Sequence, residues 1–204
     1  MRIAVCCQWY SEFKNFALSV DSLKKYMVGP RTYHIDSDVI HVWDMKSTNA
    51  YDGRNVMVYG KKEVDTMSIE LLDYDYWIYF DSDIVFREKH LLNMLAINDN
   101  IYMLPYLLRG SKTHYNVSRV SAGRYMHFPI ATDGIRSVDA GGAGALKVSR
   151  TVFETVEPMA FCPQQIKSGS MVRIMSSDYN FCRKARSSGF DIICNFDLPV
   201  VHRV

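Results

Sequence analysis

Apolar and polar positions along this chain fall into short blocks whose spacing alternates between strand-like and helix-like. Arg2–Cys7 is an apolar, β-rich run and predicts a first strand. Phe13–Met27 sets Phe13, Phe16, Ala17, Val20, Leu23 and Met27 at helical spacing, with Gly29-Pro30 as a stop. Val39–Trp43 predicts a second strand that ends on Asp44, and Asn49–Arg54 reads as a polar turn. Lys61–Leu72 predicts a helix burying Val64, Met67, Ile69, Leu71 and Leu72. The aromatic run Asp75–Phe80 predicts a third strand leading into Asp81-Ser82-Asp83, then a helix at Glu88–Ala96 and a strand at Ile101–Leu104. Strands alternating with helices predict an α/β fold, Rossmann-like, whose mixed, mostly parallel central sheet carries helices on both faces.

From Pro105 to Val138 no period is visible, and a stretch that long is either functional or conceals a hairpin. Beyond it, Ala145–Val148 predicts a strand and Ser149–Val156 a helix ending before Pro158. A helix over Asp178–Ser187 would be capped by Ser176 or Ser177 and stopped by Gly189. Ile192–Cys194 and Val200–Val201 are the last short strands. No repeat, low-complexity tract or linker interrupts the chain, so one domain over 1–204 is expected.

Composition narrows the function class. With 204 residues, 48% hydrophobic and 23% charged, the chain can build a core without disulfides or metal and is not disordered. A net charge of +2 leaves no electrostatic footprint for nucleic acid. The charge is divided, however: 11 Lys/Arg against 15 Asp/Glu over 1–104, and 13 against 7 over 105–204. That division suits a metal on one side of a site and a phosphate or acidic acceptor on the other; it also describes two differently solvated faces. No apolar run approaches the ~20 residues of a membrane helix, and Met1–Val5 enters a strand without a signal-peptide pattern. Five cysteines without Cys-x-x-Cys spacing predict buried, reduced thiols and a cytoplasmic location.

The candidate chemistry centres on Asp81 and Asp83. Two carboxylates at i and i+2 beyond a strand end can converge on a hard cation such as Mn²⁺ or Mg²⁺, and the crevice beyond the strand ends of an open α/β sheet is where ligands bind. The bland alternative is an exposed acidic turn. Gly141, Gly142 and Gly144 would let backbone approach a ligand closely, or mark a turn needing positive φ. Asp178, at a helix start, could accept a proton or simply complement the helix dipole.

Tyr74-Asp75-Tyr76-Trp77-Ile78-Tyr79-Phe80-Asp81-Ser82-Asp83 resembles the D-x-D strand of GT-A-fold glycosyltransferases. Asp139-Ala140-Gly141-Gly142-Ala143-Gly144, Ser177-Asp178-Tyr179-Asn180 and Val200-Val201-His202 resemble that family's later motifs, in its order. One departure is Ser177, where the family has Glu before the helix aspartate. The resemblance implies that Asp81, Asp83 and His202 hold Mn²⁺ or Mg²⁺ against a nucleotide diphosphate. Asp178 and Asp139 would then be catalytic, Asp178 as the base and Asp139 on the donor sugar's hydroxyls, and Ser82, Gly141 and Gly142 would contact the donor. It places the nucleotide near Cys6, Gln8, Tyr10 and Asp44, with Lys61 near phosphate, and it makes 1–104 the nucleotide and metal half and 105–204 the acceptor half. Arg109, Lys112, His114, Arg119, Arg124 and the nearby tyrosines in 105–137 are candidates for acceptor recognition. The implied donor is a UDP-sugar, UDP-glucose or a UDP-deoxyhexose such as UDP-rhamnose, and the partner is a glycan acceptor. The resemblance extends to the N-terminal glycosyltransferase domain of a multidomain enzyme of large algal DNA viruses, which implies a longer chain and a host-cytoplasmic setting. Two other classes compete: a phosphohydrolase with an aspartyl nucleophile, and a nucleotide- or carbohydrate-binding module without turnover.

Overall fold

The computed structural model describes residues 1–9, 19–21, 23–29, 31–46, 50–59, 71–156, 160–168 and 171–203. In chain order, β1 (Arg2–Trp9), β2 (Met27–Gly29), β3 (Thr32–Ile35) and β4 (Asp38–Lys46) precede the helix α1 (Ala50–Tyr59). Next come β5 (Tyr76–Phe80), β6 (Ile84–Val85), α2 (Glu88–Ala96) and β7 (Ile101–Met103). The following segment holds β8 (His114–Ser121), β9 (Arg124–Pro129), β10 (Ile135–Val138), β11 (Ala140–Gly141), β12 (Ala145–Ser149) and α3 (Arg150–Thr155). The hairpin β13 (Gln164–Ser168) and β14 (Met171–Met175), then α4 (Ser177–Ser187), β15 (Ile192–Asn195) and β16 (Val201–His202) complete the described elements.

A nine-stranded sheet in the order β10-β15-β7-β12-β5-β1-β4-β3-β2 forms the centre, and it is the mixed α/β sheet that the block pattern predicts. β1 lies parallel to β4 and β5, and β15 parallel to β7, whereas the other neighbours are antiparallel. Only β3, β10 and β12 oppose the direction of β1, so most strands point one way although most ladders are antiparallel. Inserting β12 between β5 and β7 joins the two halves of the chain in one sheet.

Strand alternation sorts the core into two layers. Ala4, Cys6, Trp77, Tyr79, Leu146 and Val148 face α1, α3 and α4, which contribute Met57, Val152 and Phe181. Ile3, Val5, Ile78, Phe80 and Tyr102 face the other way, onto Leu91, Met94 and Leu95 of α2. Trp77 is fully buried against Phe153 and donates from Nε1 to the Met57 carbonyl at 2.8 Å. Truncation of such a side chain costs about 3–5 kcal/mol.

Three expectations need correction. Asn49–Arg54 is not a turn, because from Ala50 onward the chain is helical. Gly53 costs the helix about 1 kcal/mol, but burial of Met57, Val58 and Tyr59 on the sheet outweighs it. The helix expected to reach Met27 ends earlier: a 3₁₀ turn at Lys24–Tyr26 leads into β2, which pairs with β3 across Arg31 at φ 58°. Residues 13–18 of that helix, and 61–70 of the helix expected after it, lie outside the described residues. The aperiodic stretch 105–138 does conceal a hairpin, β8–β9. All five cysteines are unbridged as expected, but Cys162 is only partly buried.

Candidate functional site

The sheet delivers the acidic motif to a strand end. β5 closes on Phe80; the Asp81 N–H then donates to the Gly144 carbonyl (3.0 Å), and Ile84 N–H turns back onto the Asp81 carbonyl (2.9 Å). This turn starts β6, which pairs with β16 and sets His202 opposite Ile84. His202 Nε2 consequently lies 3.0 Å from Asp83 Oδ2. Its Nδ1 sits 3.4 Å from the Leu107 carbonyl. Asp83 Oδ2 also lies 3.7 Å from Arg109 Nη2, so carboxylate and imidazole stand side by side at the pocket with one guanidinium close by.

Asp81 is engaged differently. Arg54, almost wholly buried on α1, donates from Nη2 to both Asp81 oxygens (2.8 and 3.1 Å) and from Nη1 to Asp178 Oδ1 (2.5 Å). Asp178 also accepts from the Ser177 hydroxyl (3.1 Å) and, through Oδ2, from the Ala143 N–H (3.0 Å). Helix α4 supplies that carboxylate from its first turn, with Ser176 as the N-cap that accepts from Tyr179 N–H. Burial pulls Arg54 down, but the Asp178 and Asp81 carboxylates outweigh it and hold the guanidinium above its ordinary pKa. Part of Asp81's surface opens on a pocket, yet the protein packed around it raises its pKa; Arg54 opposes that rise, and Asp178 and Asp83 add to it.

A pocket of about 230 Å³ opens here, walled by Asp81, Asp83, Tyr106, Asn116, Gly142 and His202, with Arg109 and Tyr179 at its sides. Tyr106 is its fixed wall: Oη accepts from Gly144 N–H (3.3 Å) and the ring lies 5.1 Å from the His202 ring. Burial, then the charges of Asp81 and Asp178, push its hydroxyl pKa up. A Cβ on Gly142 or Gly144 would lie 2.5 or 2.7 Å from Tyr106 Oη, and one on Gly141 2.6 Å from Met103 Sδ. None of these three glycines has positive φ; close approach, not backbone freedom, requires them.

Thus Asp81, Asp83, His202 and Gly142 meet in one pocket, with Asp178 behind it through Arg54. Ser82 lies in the same turn. Asp139 is turned elsewhere, pairing with Arg186 and accepting from Val120 N–H. Gly141 is buried against Met103. Cys6 lies in the core layer, where burial drives its thiol pKa up. Gln8 and Asp44 lie on β1 and β4, Asp44 opposite Cys7, with side chains outside the described residues; Tyr10 and Lys61 lie outside them entirely. Sequence reasoning missed Arg54 and Asn116, and it named Tyr106 only among the tyrosines of 105–137 proposed for the acceptor. An arginine in a supposed turn and a tyrosine after a strand carry no local signal; only their contacts mark them.

Among the described residues no group of three His, Cys, Asp or Glu is arranged to hold a metal. The donors still suit one: a carboxylate oxygen and an imidazole nitrogen side by side on an open pocket fit Mn²⁺ or Mg²⁺, which complete their shells with water and substrate phosphate.

No family model matches the sequence, and no curated protein sequence matches it. Solved structures do resemble the fold. A197 from STIV is similar at TM-score 0.52 and 14% identity, covering 100% of this chain and 95% of that one. GalNAc-T7, solved with UDP, GalNAc and Mn²⁺, is similar at TM-score 0.56 and 10% identity, covering 100% of this chain and 44% of that one. The catalytic domain of Drosophila β1,4-galactosyltransferase 7, in complex with xylobiose, is similar at TM-score 0.52 and 11% identity, covering 98% and 70%. The mixed sheet and these neighbours make the fold GT-A type.

Proposed function

We propose that the chain is a metal-dependent glycosyltransferase that moves a sugar from a nucleotide diphosphate, UDP-linked, to a glycan acceptor. The observation that carries this reading is the Asp83–His202 pair, which opens on a pocket beside Asp81 at the end of β5 in a GT-A-type sheet. GalNAc-T7, of similar fold, was solved with UDP and Mn²⁺, which supports the choice of donor and metal. UDP-glucose is the first donor to test and a UDP-deoxyhexose the second.

Asp83 and His202 would hold the cation, with Asp81 presented beside them by Arg54. A divalent ion in that position supplies Lewis acidity toward the leaving diphosphate. Gly142 leaves room for Tyr106 to pack where a side chain would stand, and the Tyr106 wall would set the depth of the donor sugar. The acceptor hydroxyl attacks the anomeric carbon, the bond from that carbon to the diphosphate oxygen breaks, and the acceptor proton passes to Asp178. Three donors occupy Asp178, and Oδ2 keeps a lone pair for that proton. Attack assisted in this way inverts the anomeric configuration. A phosphohydrolase using Asp81 as nucleophile is the weaker reading, because both Asp81 oxygens accept from Arg54.

Thermal unfolding with UDP, with and without Mn²⁺, tests the donor site. At about 100 times its Kd, UDP with Mn²⁺ should stabilise the wild type by roughly 2.7 kcal/mol, a shift of several degrees. Asp83→Ala should fold, since its side chain is 37% exposed, and should lose the shift. The absence of any nucleotide shift in the wild type would end the transferase reading.

A further inference from the structure

A second, larger cavity of about 730 Å³ runs between the β8–β9 and β13–β14 hairpins and meets the first at Tyr179, which lines both. Its walls combine two kinds of chemistry. Tyr125 and Tyr179 form an aromatic corner, edge to face at 4.8 Å. Ser118 fixes Tyr179 Oη at 2.8 Å and itself contacts His127 at 3.0 Å, so the corner is held from behind. Ile166 and Ile174 stand opposite, 37% and 74% exposed. Among the described residues, Arg124 and Arg173 are the only charged side chains on the walls, no acidic side chain lines them, and neither arginine makes an ion pair.

We propose that this groove holds the acceptor, and that the acceptor is an acidic oligosaccharide. The proposal rests on the glycosyl-transfer reading above. Sugar rings present C–H faces that pack on aromatic and aliphatic surfaces, which Tyr125, Tyr179, Ile166 and Ile174 supply. A uronate carboxylate matches the guanidinium fork in charge and geometry, which gives Arg124 and Arg173 their role. A cavity of this size suits an oligosaccharide rather than one ring. Its walls include Ser176, the cap of the helix that carries Asp178, and Tyr179 of the same helix, so the groove leads along the start of that helix to the first pocket.

The test is NMR titration of isoleucine-methyl-labelled protein with trigalacturonate, a hyaluronan tetrasaccharide and the methyl ester of trigalacturonate, whose rings are the same and whose charge is gone. A uronate probe should shift the Ile166 and Ile174 methyls and bind about tenfold tighter than the ester. Arg124→Gln and Arg173→Gln should each weaken it several-fold while leaving the UDP–Mn²⁺ thermal shift intact. Equal binding of the ester or of neutral maltotriose overturns the proposal. So do full affinity in both arginine variants, silence of both methyls with both uronates, and binding of a phosphorylated trisaccharide alone. If UDP–Mn²⁺ binds and the uronates do not, only the acceptor falls. If the uronates bind and UDP–Mn²⁺ does not, it is the transferase reading that fails.

Discussion

Replacing Arg54 with alanine would leave Asp81 and Asp178 as neighbouring, largely enclosed carboxylates with no counter-charge between them. Removing one partner of a buried pair costs about 3–5 kcal/mol, and the low end applies because pocket water reaches both acids. Urea denaturation should read that loss directly. Arg54→Lys should recover only part of it, since one ammonium cannot reproduce a fork that spans two carboxylates. The glycines make a second prediction. Gly144→Ala places a methyl within 2.7 Å of Tyr106 Oη and should destabilise by about 1–3 kcal/mol. In a double-mutant cycle, Tyr106→Phe should relieve part of that cost; strict additivity would show that the clash lies elsewhere.

Helix α2 is held at both ends by groups whose protonation matters. At its start, His90 Nδ1 accepts from Arg87 N–H (2.7 Å), which requires the neutral ring, and burial, then Lys89 and Arg87, depress its pKa to about 4. Between that value and the unfolded value near 6.5 the unfolded chain binds more protons, so this contribution is lost as pH falls through the window. At its end, fully buried Lys147 reaches from β12 to the Met94 carbonyl (2.8 Å) and the Ile97 carbonyl (2.5 Å), with Nζ 4.0 Å from the Tyr76 ring centroid. Burial outweighs those contacts and nearby acids, and lowers its pKa to about 8. The stability of the wild type relative to Lys147→Met should therefore rise between pH 8 and 10, by on the order of 1–3 kcal/mol. A flat difference across that range would show that the buried amine stays charged. The bounds of α2 were legible in the sequence, but the Lys147 anchor was not, because it is defined by partners about fifty positions away.

At the scale of the whole molecule, buried acids of weak strength set the alkaline limit. Burial raises the thiols of Cys6, Cys182 and Cys194, with Cys182 reaching about 12. The folded state keeps protons that the unfolded chain releases above pH 9, so stability should fall with rising pH from there, against the smaller gain from Lys147. Calorimetry from pH 8 to 11 should show that fall, and Cys6→Ser with Cys194→Ser should make it shallower, Cys182 and buried tyrosines such as Tyr106 keeping the rest. The sequence alone determined the alternation of strands and helices, the strand that runs into Asp81, the cap and stop of α4 and the late histidine, because periodicity and end signals are local. Tertiary structure decided what no window contains: that β12 enters between β5 and β7, that 50–59 is a helix rather than a turn, and that the β13–β14 hairpin walls a groove. It also decided the partners of each acid. Asp83 meets a histidine 119 positions away and Asp178 an arginine 124 positions away, while Asp139 turns toward Arg186. Charge pairing across such separations depends on which strand ends and helix starts the sheet brings together, and that is settled by burying two apolar layers at once.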